Sequence, residues 1–352
     1  MDISDRIDVA VLGPGADADV LSEAAGTLLP LINGYWVTQA IAVAAELGIA
    51  DLLADGAKGP EQLAGRSGAD PDALHRVLRF LASCGVFKED SAGRFDLTPT
   101  AGLLQSDVAG SLRAFARLSG GSWYRVTQDI LHSVRTGRSA FEHLHDKQYF
   151  EWLAGHPVEA ELFDQAMGGR AAALRMPTLL AYDWSAVATL VDVGGGNGVI
   201  LAELLTAFPH LRGKLFDLPH ALNRAVEQFT AKGLSDRAEV LGGDFFDVLP
   251  PGADRYLLSV VLHDWSDEDC VRILASCHQA MAPDARLLVL DTVIPAGNAP
   301  HPGKLVDLQM LVMLAGRERT AGEWRRLLAA GGFRCDEVKE SQLFTLIEAT
   351  PA

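Results

Sequence analysis

From residue 188 onward, short apolar runs alternate with segments whose apolar residues recur at helical spacing. Runs at 188–193, 213–217, 238–241, 255–261 and 286–292 read as strands, and 198–208, 219–231, 267–282 and 321–330 as helices. That alternation predicts an α/β fold built on a doubly wound parallel sheet. Near the end, FRCDEVKESQLFTLIEATPA holds two strand-like runs joined at Glu340-Ser341-Gln342, a hairpin that makes the last strand antiparallel. The first third is patterned differently. Segments 34–54, 60–68 and 70–85 carry helical periodicity, and 86–98 reads as two short strands around Ser91-Ala92-Gly93. Helix, turn, helix, hairpin is the order of a winged helix.

Between these regions, 105–185 is helical and loop-rich and gathers large side chains, among them Trp123, Tyr149, Phe150, Phe163 and Met167. Most of these suit a core, and some suit the apolar lining of an aromatic ligand pocket. The first 20 residues are rich in Gly, Ala and Asp and read as poorly ordered. The expected organisation is 1–20 as a loose start, 21–105 as a winged-helix-like domain, 106–185 as a helical linker with the acceptor pocket, and 186–352 as the α/β domain.

Charge then narrows the partners. The net formal charge is −16, whereas phosphate binding needs clustered Lys and Arg. Within 41–104, six Lys/Arg stand against nine Asp/Glu, and Asp70 and Asp72 open the helix that would meet DNA. A DNA-binding regulator is therefore the weaker reading of this domain, and a packing or dimerisation module the stronger. MDISDRIDVAVLGPGADADV has no basic, then apolar, leader pattern, and the apolar stretch near Tyr35–Ala50, interrupted by Gln39 and Glu46, is short for a bilayer. A cytoplasmic protein without membrane or nucleic-acid partners is expected. Cys84, Cys270, Cys277 and Cys335 are scattered, with no CxxC or Cys/His spacing, so no metal is expected.

The candidate chemistry starts at ATLVDVGGGNGVILAEL. Gly194, Gly196 and Gly198 form G-x-G-x-G, and the sixth position of a dinucleotide fingerprint is Val199, so the pyrophosphate signature fails. The loop holds no Lys or Arg. Asp192 precedes it, Asp217-Leu218 ends the next strand 21 residues beyond Gly196, and Gly243-Asp244-Phe245 closes the third. Acidic strand ends around a bare loop suit a nucleoside whose ribose hydroxyls are held by a carboxylate, without a pyrophosphate, and they welcome a cationic sulfonium. S-adenosylmethionine meets that description. The fourth strand ends in SVVLHDWSDEDCVRIL, where Ser266 and Asp269 form a helix cap. His263 there can serve as general base toward a phenol, whose pKa is near 10. Asp291 and Glu318 are spaced to orient its ring.

Together LVDVGGGNG, LFDLPH, GGDFF, LHDWSDEDCVRIL and RERT resemble the S-adenosylmethionine-dependent small-molecule O-methyltransferases, of plant caffeic-acid type and bacterial antibiotic-tailoring type. ELGIADLLADG, LHRVLRFLASCGVF, SWYRVTQDI and FDQAM extend the likeness over about residues 25–350. The resemblance implies a class I methyltransferase Rossmann-like domain, an N-terminal winged-helix dimerisation domain, a homodimer, and S-adenosylhomocysteine as product. It implies catalytic roles for His263, Asp291 and Glu318. Cofactor contacts are implied for Asp192, Gly194, Gly196, Asp217, Leu218, Gly243, Asp244, Phe245 and Ser259. The implied acceptor side comprises Phe163, Met167, Asp264, Trp123 and Met313.

Two positions depart from the plant pattern: Ser259 stands where a lysine is usual, and Asp291 replaces a glutamate one methylene longer. The sequence leaves open whether Asp291 reaches His263. Loops around 120–170 and 305–317 are expected to shape the acceptor pocket, and the acceptor, an aromatic secondary metabolite of polyketide or quinone type, is not named by them. The alternatives are a tailoring enzyme of the same fold with hydroxylase or decarboxylase chemistry, and the DNA-binding regulator.

Overall fold

The computed structural model describes residues 18–352 except 171–173, 220, 223, 315, 336–337 and 339–342. The expectation for most of the first 20 residues, and the Glu340-Ser341-Gln342 turn, lie outside the described residues. The chain divides into two compact units between Tyr124 and Arg125.

In the first unit, helices Tyr35–Glu46, Ile49–Leu52, Pro60–Ser67 and Pro71–Ser83 precede strands β1 (Phe87–Glu89) and β2 (Phe95–Leu97), which pair antiparallel. The helix expected over 34–54 breaks because Gly48 takes a left-handed φ of +64°. Asp70 caps the fourth of these helices by accepting from the Ala73 N–H at 2.9 Å, with Pro71 in the first turn. Leu63, Leu74, Leu78, Leu81, Phe87 and Phe95 are buried together as this unit's core. In contrast, Leu28, Leu29, Leu31 and Ile32 on helix Ala18–Ile32, and Trp36 at the start of helix Tyr35–Glu46, are exposed. The helical run Asp19–Glu46 is long and apolar enough, by length and composition, to cross a membrane. The sequence reading considered only Tyr35–Ala50; the run is longer because helix Ala18–Ile32 lies ahead of it across the Asn33-Gly34 turn, and it consists of two helices of 15 and 12 residues.

The second unit contains a seven-stranded sheet. Its strands are β3 (Thr189–Val193), β4 (Arg212–Asp217), β5 (Ala238–Gly242), β6 (Arg255–Ser259), β7 (Arg286–Asp291), β8 (Phe333–Arg334) and β9 (Thr345–Pro351), in the order β5-β4-β3-β6-β7-β9-β8. The β3 to β7 strands are mutually parallel, and β9 runs antiparallel to both β7 and β8. Leu190, Val191 and Val193 in β3 and Leu287 to Leu290 in β7 are fully buried, each such side chain contributing roughly 1.5–3 kcal/mol. Chain order reverses between β3 and β6, which opens a crevice at their carboxyl ends. Three expectations shift. The fourth strand stops at Ser259 because Val260 turns to φ +60°, the helix expected from 219 begins at Ala225, and Pro302–Met313, read as loop, is a helix.

Candidate active site

The glycine loop lies at that crevice. Gly194, Gly196 and Gly198 have φ of +69°, +59° and +78°, a region that costs residues with a Cβ roughly 1–2 kcal/mol each. Gly195 is bare for a different reason: a Cβ there would stand 2.4 Å from Asp192 Oδ2 and 2.5 Å from Leu215 Cδ1. The Gly194 N–H donates to Phe216 O at 2.8 Å, and the Gly196 N–H donates to Asp217 Oδ2 at 2.7 Å. Asp217 Oδ1 accepts from the Leu218 N–H at 2.6 Å. The loop is thereby tied to the end of β4.

Helix Pro157–Arg170 closes on the same loop. Asn197 Nδ2 donates to Asp164 O at 3.3 Å, and a Cβ on Gly168 would stand 3.2 Å from Asn197 Nδ2. Phe163 and Met167, on this helix, are thus set beside the glycine loop; the Phe163 ring lies edge-on to Tyr149 at 5.5 Å. Arg175 connects the helix to β6, donating to Met167 O at 3.1 Å, Ser259 O at 3.1 Å and Ser259 Oγ at 3.3 Å.

Acid density here is high. Asp192 is fully buried, and neither carboxylate oxygen has a hydrogen-bond partner among the described residues. Burial pushes it up to about 7, against the pull of the Arg175 guanidinium. Burial, then the Asp217 charge, pushes Asp164 up to about 6. Gly243 donates to Asp217 O at 3.0 Å. The exposed Asp244 accepts from the Phe246 N–H at 2.9 Å, and the Phe245 ring packs against Phe246 and Trp265 at 5.1 and 5.7 Å. A bare cradle, orphaned buried carboxylate oxygens and a carboxylate at the end of β4 fit S-adenosylmethionine.

Across the crevice, β6 runs into a single turn at Leu262–Asp264. His263 is buried. Its Nδ1 is 2.7 Å from Glu318 Oε1 and 3.8 Å from Asp291 Oδ1, while Nε2 is 3.2 Å from Asp264 Oδ1. So the shorter Asp291 stops beyond hydrogen-bond range, and Glu318 is the ring's partner. Burial pushes the carboxyls of Asp291 and Asp264 up to about 7, with the His263 ring pulling each the other way.

The RERT segment holds this turn. Arg317 N–H donates to His263 O at 2.9 Å, Glu318 N–H to Asp307 Oδ1 at 2.8 Å, and Arg319 Nη1 to Leu262 O at 3.1 Å. Arg319, itself buried, also donates to Trp265 O and pairs with Asp267 at 2.7 Å. Gly316 permits this docking: a Cβ there would stand 1.8 Å from His263 O.

The structure therefore brings His263, Asp264, Asp291 and Glu318 together, and sets Asp192, Gly194, Gly196, Asp217, Phe163 and Met167 around one loop. Met313 is buried at the end of helix Pro302–Met313. Trp123 belongs to the first unit, where its ring meets Phe115 edge-on at 5.9 Å. Sequence reasoning missed Arg175, Asn197, Asp307, Gly316 and Arg319. Asn197 carried a signal inside LVDVGGGNG, and Gly316 and Arg319 carried one inside GRERT around Glu318; Arg175 and Asp307 stand in no such motif.

Comparison with known proteins bears on this geometry. The O-methyltransferase domain family matches residues 124–334, and its dimerisation domain matches 29–107. Phenazine O-methyltransferase PhzM of Lysobacter antibioticus is 43% identical over 92% of this chain and 95% of its own length. The structure of mitomycin 7-O-methyltransferase MmcR aligns with TM-score 0.86 at 38% identity, covering 96% of this chain and all of that one. NcsB1 from neocarzinostatin biosynthesis, solved with S-adenosylmethionine and 2-hydroxy-5-methyl naphthoic acid, aligns with TM-score 0.76 at 34% identity over 90% of this chain and 96% of its own. Aclacinomycin 10-hydroxylase RdmB of Streptomyces purpurascens is 36% identical over 95% of this chain and 91% of its own length. With a glycine cradle beside a histidine collared by carboxylates, and both family domains matched in order, the chain belongs to the S-adenosylmethionine-dependent O-methyltransferases of aromatic secondary metabolism.

Proposed function

We propose that His263 is the general base that takes the proton from a phenolic or similarly acidic hydroxyl of a planar aromatic acceptor. The observation that carries this reading is the His263–Glu318 contact at 2.7 Å inside a buried carboxylate collar. A proton on Nδ1 shared with Glu318 leaves the lone pair on Nε2, which receives the acceptor's proton. Glu318, Asp291 and Asp264 then stabilise the imidazolium by their charge. Bound at the glycine loop, S-adenosylmethionine supplies the electrophilic methyl group. Asp217 would hold the ribose, Asp244 and Phe245 the adenine, and the other residues of β3's loop the methionine part. Ser259 reaches the cofactor only alongside Arg175, which already holds its hydroxyl. Asp264, Phe163, Met167 and Met313 would face the acceptor. This chemistry asks for no metal. The acceptor's class follows from the aromatic acceptors of the relatives and from the ring-rich helices around Phe163.

The test is methyl transfer from S-adenosylmethionine to hydroxyphenazine, hydroxynaphthoate and hydroxyquinone acceptors, read by mass as products one methylene heavier. His263→Ala, folded by thermal melting, is expected to lose roughly 10²–10⁴-fold in rate. An unchanged rate overturns the role. A product carrying a new oxygen instead favours the hydroxylase reading that the likeness to RdmB keeps open.

The exposed apolar residues Leu29, Leu31, Ile32 and Trp36 fall inside the segment matched to the dimerisation domain, and on this reading they pack against a second copy of the chain. Sedimentation equilibrium is expected to give a dimer for the native chain and a monomer for a Leu29→Glu, Ile32→Glu double variant; a dimer in both cases refutes that surface.

A further inference from the structure

We propose that Arg175 binds the carboxylate of the cofactor's methionine part and so fixes that end of the cofactor beside β6, a reading that rests on S-adenosylmethionine occupying the glycine loop. Arg175 stands immediately ahead of helix Met176–Leu180. Its guanidinium bridges the two walls of the crevice. Nη2 donates to Met167 O on helix Pro157–Arg170, where the neighbouring Gly168 lies against Asn197 of the glycine loop. Nη1 donates to Ser259 O and Oγ at the carboxyl end of β6, four residues before His263. The cation therefore sits between the loop that would seat the cofactor and the turn that carries the base.

The first argument for a ligand there is charge. S-adenosylmethionine carries a sulfonium, an ammonium and a carboxylate. Asp164 and Asp217 on the loop side, with Asp264 and Glu318 beside His263, suit the two cationic groups and oppose the anionic one. A carboxylate seated here needs a cation near it. Arg175 supplies one whose charge is felt at both Asp192 and Asp264. Burial pushes both of those acids up to about 7, so near neutral pH neither offsets the guanidinium in full.

The second argument is geometry. The bonds to Met167 and Ser259 all end on neutral oxygens, whereas a guanidinium pairs most strongly with a carboxylate, through two parallel N–H donors. The bond to Ser259 Oγ is the longest of the three at 3.3 Å. A carboxylate oxygen that replaces it brings a full charge, and the released Ser259 hydroxyl can donate to the same carboxylate. With Asp217 on the ribose and Arg175 on the carboxylate, the cofactor would be held on both sides of its sulfonium.

The experiment is calorimetric titration, without acceptor, of S-adenosylhomocysteine and of S-adenosyl-3-thiopropylamine, the same molecule lacking only the carboxylate. The native chain is expected to prefer S-adenosylhomocysteine by about ten- to a hundredfold, the range of a hydrogen bond between charged groups. Arg175→Met and Arg175→Gln are expected to lose that preference by weakening S-adenosylhomocysteine alone; the glutamine keeps neutral donors for Ser259 and Met167, and thermal melting checks that both variants fold. His263→Ala is expected to bind both ligands as the native chain does. Equal weakening of both ligands in the Arg175 variants, or an unchanged preference, overturns the role of Arg175 while leaving the cofactor in place. A native chain that binds neither ligand overturns the cofactor reading and this proposal together.

Discussion

At His263 two carboxylates approach one ring nitrogen, and distance separates their parts. Glu318 is within hydrogen-bond range at 2.7 Å, whereas Asp291 at 3.8 Å contributes only its field. A hydrogen bond to a charged partner contributes roughly 1.5–3 kcal/mol, which in a rate constant is about ten- to a hundredfold. Glu318→Gln is therefore expected to cost that much in kcat, and Asp291→Asn distinctly less. Initial rates at saturating substrate check this, and a larger loss in the Asp291 variant refutes the ordering. His263 and Glu318 were legible because both stand inside short motifs of chemically committed residues. The structural roles of Arg319 and Arg175 were not, even with Arg319 inside RERT, because an arginine's burial is set by carbonyls from distant segments, Leu262 and Trp265 for the one, Met167 and Ser259 for the other.

Elements carry the next level. Every parallel strand was legible to within about two residues; β3, β6 and β7, buried on both faces, must be continuous apolar runs. The edge strand β5 is only half-buried and was legible from Val240 and Leu241 ahead of the Gly242-Gly243 break. Helix Pro302–Met313 was hidden. Leu305 and Leu308 are exposed while Gly303, Val312 and Met313 are buried, so no single apolar stripe marks it, and a Pro/Gly-rich stretch precedes it. The RERT segment that follows acts as a clasp on the His263 turn, and its tolerance is set at Gly316. Gly316→Ala places a Cβ 1.8 Å from His263 O, which forces the segment away and separates Glu318 from the ring. The expected outcome is a rate loss at least as large as that of Glu318→Gln, with about 1–3 kcal/mol of stability. Denaturant melts and rates measured together decide it; a fully active Gly316→Ala enzyme shows that the clasp is loose.

Over the whole molecule, the acidic crevice sets a pH signature. Asp192 is buried in the sheet, and burial lifts its carboxyl from an ordinary 3.8 up to about 7. The folded state therefore holds a proton that the unfolded chain has released, and this group's contribution to stability falls as pH rises from about 4 to about 7. Asp192→Asn removes that dependence. Its stability relative to the native chain is expected to climb across the same window by on the order of 2–4 kcal/mol and then level off. Chemical denaturation at several pH values measures the difference, and a constant offset refutes the protonation assigned to Asp192.

Val260 holds a last consequence. A β-branched residue at φ +60° is strained, and the bend lays Val261 against Gly194, where an added Cβ would stand 2.9 Å from Val261 Cγ2. The kink that aims the histidine also draws it toward the glycine loop, so the two reactants' seats share one hinge. Selection for heat tolerance alone would relax this bend first, and the lineages it favoured would be durable proteins with a misaligned base.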